Sequence, residues 1–303
     1  MLLAEQLLNG LQYGMTLFLM ASGLTLVFGV MGLINLAHGA LYMTGAFACA
    51  VVAQKTGSFG LGVVASLAAA AAAGALIEVA VIRRLYRRSH LDQVLATFAL
   101  ILVLSEAARW AFGSFPLYLS LPGWLARAVH LPGGLTYPAF RLFVIVLGAA
   151  IALGLFALMS KTRLGLRIRA GEADREMIGA LGVDIASLYT LVFALGAALA
   201  GLAGALVGAN TSVQVGMGEP VLILAFVVIV IGGIGSIAGA LIAAILVGMT
   251  EVLGRAFLPG LLAHVMPQAE ATATGASLAS MSIYVLMAIV LLWRPAGLFG
   301  ARA

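Results

Sequence analysis

The chain has 303 residues, 63% of them hydrophobic and 9% charged, with a mean hydropathy of +1.16, which excludes a soluble or disordered protein and indicates an integral membrane protein. Sixteen Lys and Arg against eleven Asp and Glu give a net charge of +5. The basic residues gather beside apolar runs and do not interleave with aromatics, which reads as topology and contact with anionic lipid headgroups and argues against nucleic-acid binding.

The first apolar run, 8–30, is expected to be a retained helix, because no Lys or Arg precedes Lys55 and a secretory signal would open on basic residues. Further segments fall at 38–54, 60–82, 91–112, 139–160, 186–209, 219–231, 237–255 and 281–293. Several are shorter than the roughly 20 residues of a full span, as helices broken inside protein can be. The expected fold is all-α: a polytopic transmembrane helical bundle of eight or nine segments, one transmembrane domain over 1–303.

Between the first two segments, Asn35 and His38 stand three apart at membrane depth, where polar groups are costly. They serve either a transport pathway or the capping of broken helix ends. Cys49 is the only cysteine and lies in an apolar run, which rules out an intrachain disulfide and a Cys-based metal site. Glu78 is within reach of Arg83 and is expected to form an interfacial ion pair; Glu106 and Arg109 are expected to pair in the same way. The segment 113–138 holds Pro116, Pro122, Pro132 and Pro138 with Gly123, Gly133, Gly134 and Trp124, a composition suited to an interfacial loop rather than a straight helix.

Eleven of the sixteen basic residues form three groups: Arg83, Arg84, Arg87 and Arg88; Lys161, Arg163, Arg167, Arg169 and Arg175; and Arg294 and Arg302. The positive-inside rule puts all three on the cytoplasmic side, which leaves 113–138, 256–280 and the N-terminus outside. The stretch 161–185 is the one long, densely charged segment and has the look of a solvated helix ending in a glycine turn. In 186–209, Gly196, Ala200, Gly204 and Gly208 recur every four residues, a small-residue stripe for close helix packing. Glu219, before Pro220, suits a helix N-terminus, and Glu251 near the end of its segment is a further polar position to explain.

A weak internal repeat lays 24–41 on 224–241, with Leu24, Val27, Val30, Gly32, Ile34, Gly39, Ala40 and Leu41 recurring 200 residues later. Glycines interrupt both copies, and backbone freed there must be buried in protein or line a cavity. Paired broken helices point to a transport pathway, with Asn35, His38, Gly39, Gly232, Gly233, Gly235 and Ser236 as its candidates. Tight packing is the competing use of the same glycines.

No phosphate loop, H-E-x-x-H or G-x-S-x-G motif occurs. The expectation is a non-enzymatic subunit that binds no cofactor or metal and depends on a separate subunit for any ATP hydrolysis.

The charged segment resembles the coupling loop of ABC importer permeases, whose pattern is E-A-A, three residues, then G. Glu176 and Gly182 hold that spacing, Met177 and Ile178 replace the alanines, and the distal I-x-L-P is missing. GLINLAHGALYMTGAF at 32–47, TRLGLRIRA at 162–170, GGIGSIAGALIAAILVG at 232–248 and WRPAGLFG at 293–300 are similar to the branched-chain amino acid (Liv-type) permeases, in particular their LivH-like members. The resemblance implies a bacterial inner-membrane importer working by alternating access. It also implies a heterodimer with a second permease subunit, two cytoplasmic ATP-binding subunits carrying ATP and Mg, and an external solute-binding protein. The loop residues Arg163, Arg167, Arg169, Glu172, Arg175, Glu176 and Gly182 would meet the ATPases. Because the family also includes urea and short-amide permeases, those solutes stay open, as do a stand-alone channel or secondary transporter and a structural membrane subunit.

Overall fold

The structure, a computed structural model, describes residues 2–86, 88–132 and 134–300; Arg87, Gly133 and Arg302 lie outside them. The elements in chain order are α1 (Leu2–Met31), α2 (His38–Thr56) and α3 (Phe59–Ile77), which runs through a π-turn (Glu78–Ile82) into α4 (Arg83–Leu85), followed by α5 (His90–Phe112). A hairpin of β1 (Ala128–Leu131) and β2 (Leu135–Pro138) leads to α6 (Ala139–Lys161), the short helices α7 (Arg163–Ala173) and α8 (Arg175–Ala180), and α9 (Ile185–Asn210). α10 (Gly218–Gly232), α11 (Ile237–Leu262) and α12 (Gln268–Trp293) complete the chain. Seven of these helices are long and apolar enough to cross a membrane, and α10 is a shorter apolar helix. The protein is a polytopic helical bundle.

Two expectations about the loops are corrected. The stretch 256–280 is not an external loop, and the last segment does not begin at 281: α11 reaches Leu262 and α12 starts at Gln268. Its weakly polar residues satisfy themselves within the helix, Thr272 donating to the Gln268 carbonyl (2.8 Å) and Ser277 to the Ala273 carbonyl (3.0 Å). Glu270 stands in the first turn, where the helix dipole favours a carboxylate. Pro259 lies inside α11 without ending it, and Gly275 of α12 packs against its ring. The segment 113–138 forms no helix among its described residues, as its composition suggested, and carries a short hairpin. Ala128 pairs with Pro138 and Leu131 with Leu135, the prolines falling at the turn and the strand end, and Gly134 turns the chain at φ +78°.

The chain divides into two compact units. One comprises Met1–Phe18, Gly123–Ala150 and Ala225–Ala303. Inside it, Gly10, Gly14 and Gly248 bring α1 and α11 into backbone contact, and Asn9 Oδ1 accepts from the Tyr137 hydroxyl (3.0 Å) and Arg141 (2.7 Å). The other comprises Leu19–Pro122 and Ile151–Leu224, and is built round α2, α3 and α9. The small-residue stripe on α9 does the packing expected of it: Gly204 lies on the Tyr42 carbonyl and Gly196 on that of Gly23. Beside it, Gly201 meets Gly45 and accepts a hydrogen bond at its carbonyl from Ser66 (2.8 Å).

A Cβ at Gly201 would stand 2.5 Å from Ala70 Cβ and 3.1 Å from the Ser66 carbonyl, whereas one at Gly154 meets nothing within 4 Å. Gly201→Ala is therefore expected to lose about 1–3 kcal/mol through overpacking. Gly154→Ala should leave the midpoint of thermal unfolding in detergent unchanged or raised.

Candidate functional site

The two copies of the repeat are both helix, break, helix. α1 ends at Met31 and Gly32 (φ +63°) closes it with an N–H to the Phe28 carbonyl (2.8 Å); α10 ends at Gly232 and Gly233 (φ +97°) closes it with an N–H to the Ile229 carbonyl (2.9 Å). These are the same left-handed cap, which glycine adopts at little cost. α2 restarts at His38 and α11 at Ile237.

The breaks differ in how their polar groups are partnered. At the second, the Leu298 and Phe299 N–H groups donate to the carbonyls of Ile231 (2.8 Å) and Gly232 (3.0 Å), and Gly297 and Gly300 lie against Gly233. Ser236 accepts from the Gly239 N–H (3.0 Å) and caps α11, while Gly235 turns the backbone at φ +80°. The C-terminal WRPAGLFG stretch is thus a strap that satisfies α10's end, and Gly232, Gly233, Gly235 and Ser236 all have structural work in this break.

No strap covers the first break among the described residues. Asn35 and His38 are fully buried, and His38 Nε2 lies 3.2 Å from the Met20 carbonyl of α1. The capping expectation fails here: α2 is capped at Ala37 with no side-chain hydrogen bond, and its first turn is held by backbone alone. Among the described residues, both amide atoms of Asn35, His38 Nδ1 and Thr25 Oγ1 have no hydrogen-bond partner. An unmade buried hydrogen bond costs about 1–3 kcal/mol, and such groups ask for a water, ion or ligand. Gly39, by contrast, serves packing, since its Cβ would stand 3.0 Å from the Gly218 carbonyl.

The charged loop is two helices rather than the one solvated helix its sequence suggested. Asp174 breaks it in an extended conformation and caps α8, accepting from the Glu176 and Met177 N–H groups, each at 2.9 Å, because Asp caps better than it propagates a helix. Gly182 (φ +87°) ends α8 in a Schellman arrangement, with Gly182 N–H on the Gly179 carbonyl (3.0 Å) and Val183 N–H on that of Ile178 (3.3 Å). Gly165, Ile168, Gly171 and Ile178 are buried and anchor the loop. Arg163, Arg167, Arg169, Glu172, Arg175, Glu176 and Gly182 are all exposed, and Arg169 also donates to the Met159 carbonyl. Asp184 caps α9; its hydrogen bond from Ser187 holds its carboxyl below the usual range, whereas partial burial raises that of Glu172.

Sequence reasoning missed Met177 and Leu181, 59% and 76% exposed and one turn apart in this charged setting. Their i, i+4 spacing was the available signal. Glu106 and Arg109 pair as expected, both exposed, at 2.9 Å, and Glu251 pairs with Arg255, which also donates to Ser280 (2.8 Å). Glu219 stands in the first turn of α10. Glu78 pairs with Arg83 as expected, at 3.0 Å, and its side chain is fully buried.

A family model for the permease component of branched-chain amino acid transport systems matches residues 6–291. The chain is 30% identical to the high-affinity branched-chain amino acid transport permease BraD of Pseudomonas aeruginosa, over 98% of this chain and 95% of that protein. It is 29% identical to LivH of Escherichia coli, over 84% and 86% respectively, and 29% identical to the E. coli ribose import permease RbsC, over 80% and 76%. No solved structure matches it.

The strap makes a local prediction. Leu298→Pro removes the N–H that reaches the Ile231 carbonyl and should cost about 1–3 kcal/mol, read as a lower unfolding midpoint of the purified protein. Leu298→Ala keeps that N–H and should fall less.

Proposed function

Since the chain belongs to the family of branched-chain amino acid transport system permease components, we propose that it carries branched-chain amino acids inward as the pore-forming subunit of an ATP-driven importer. It is a multi-pass permease subunit of the bacterial inner membrane. The substrate rests on similarity to BraD along almost the whole of both chains.

One observation carries the ATP-driven reading: a loop of two capped helices, anchored by Ile168 and Ile178, presents seven exposed polar or turn residues around the exposed apolar pair Met177 and Leu181. Such a pair within a charged rim suits the core of a protein contact. Two ATPases, which would hold ATP and Mg, are the partners proposed for this surface and for its equivalent on a second permease subunit. With the loop in the cytoplasm, the β1–β2 hairpin faces outward, where a solute-binding protein would dock. The first break, with Asn35 and His38, is the proposed pathway element, and closure of the ATPases would shift it between states. That shift requires the motor to contact the two states differently.

Co-expression with the ATPases and the second permease should yield a stable complex, and proteoliposomes containing it should accumulate radiolabelled leucine only with ATP. Flux from this chain by itself would overturn the reading. Reversing the charges of Arg169 and Glu176 together should separate ATP hydrolysis from uptake while the permease stays inserted; unchanged uptake would remove the loop's proposed role. Met177→Asp should reduce recovery of the ATPases with the complex.

A further inference from the structure

In the proposed function the charged loop acts on the first break, and the packed contacts between them converge on Glu78. The elbow between α7 and α8 faces the end of α1 across an open cleft of about 400 Å³, lined by Gly29, Gly32, Gly171 and Asp174 among others. An open gap transmits little displacement. The firm route starts instead where the loop packs on α9, with Gly171 beside Leu188 and α9 capped by Asp184.

One turn beyond Ser187, the Thr190 hydroxyl reaches the Glu78 carboxylate at 2.7 Å. Glu78 opens the π-turn that follows α3, and its side chain is fully buried. It also accepts from Arg83 (3.2 and 3.0 Å) and from the Tyr86 hydroxyl (2.7 Å). The same Tyr86 oxygen lies 3.7 Å from Sδ of Met31, the last residue of α1 before Gly32, and the Tyr86 ring meets Tyr189 of α9 edge-on at 5.1 Å. One carboxylate therefore ties α9, α3 and α4 together, and through Tyr86 reaches the residue at which the first break begins. Burying an acid in a membrane helix is costly, and π-turns recur at functional sites.

We propose that Glu78 is the positioning residue that carries displacement of the charged loop from the start of α9 to the end of α1, and so to the first break. The proposal deepens the coupling-loop reading and rests on it. The hydrogen-bonded cluster is a lever because it is directional: when Thr190 moves with α9, Glu78 and Tyr86 must follow or lose their bonds. A purely apolar contact would slide.

The test uses the full transporter in proteoliposomes, measuring leucine moved per ATP hydrolysed. Tyr86→Phe and Thr190→Val each remove one bond to Glu78 while keeping most of the side-chain volume, and Glu78→Gln weakens all of them. Each should lower the ratio by about 2- to 30-fold, the range found for residues along coupling networks, with the ATPases still bound and the melting temperature near that of the parent. Glu78→Asp should recover part of the ratio. An unchanged ratio in Tyr86→Phe and Thr190→Val overturns the proposal, and so does a loss that only follows a fall in melting temperature. Met177→Asp, run in parallel, separates the two readings. If it leaves ATPase recovery and coupling intact, the coupling surface itself is wrong; if it disrupts them while the Glu78-cluster variants behave as the parent, only the role of Glu78 is lost.

Discussion

A helix that breaks inside a membrane releases backbone groups that lipid cannot satisfy, and most of this structure is arranged around that constraint. The chain breaks twice in the same way, with a left-handed glycine after Met31 and another after Gly232. The next helix begins within a few residues each time. What surrounds each break differs.

At the second break the answer is main chain. The C-terminal strap lays Leu298 and Phe299 along the freed carbonyls, and glycines at 233 and 297 permit that approach because a Cβ would not fit. At the first, no strap lies over the break among the described residues, and Asn35, Thr25 and His38 keep hydrogen-bonding capacity unused. Two similar segments thereby differ: one is closed by its own chain, and the other holds polar groups that no described residue partners. Conformational change concentrates where few internal bonds must be broken, and the first break meets that condition better.

Close packing sets the geometry on which both breaks depend. Gly201 and Gly204 let α9 touch α2, and Ser66 locks α3 to the same ridge through the Gly201 carbonyl. Without Cβ atoms there, the helices approach closely enough for dispersion and a few hydrogen bonds to replace a hydrophobic effect that lipid does not provide. The position of Thr190, and hence the Glu78 cluster, follows from that α3–α9 contact.

Much of the fold was legible in the sequence, because membrane helices announce themselves by length and apolarity. Eight of the nine expected segments coincide with helices to within a few residues, apart from the longer reach of α1 and α11. The exception, 268–280, is Ala-, Ser- and Thr-rich; its Thr272 and Ser277 hydroxyls bond within their own helix, so weak hydropathy concealed a regular element. The site was only partly legible. Residue types located the glycine breaks, the charged loop and Asn35 with His38, since each is an anomaly of composition within an apolar chain. Whether those groups are partnered depends on which distant residues reach them, and hydropathy carries no record of that. Tertiary structure alone decided that the C-terminal tail closes the second break, that Asp174 divides the loop, and that Glu78 is buried among Arg83, Tyr86 and Thr190. The physical reason is that hydrogen bonds are short-ranged and directional: local sequence sets which groups need a partner, and only packing determines which partner arrives.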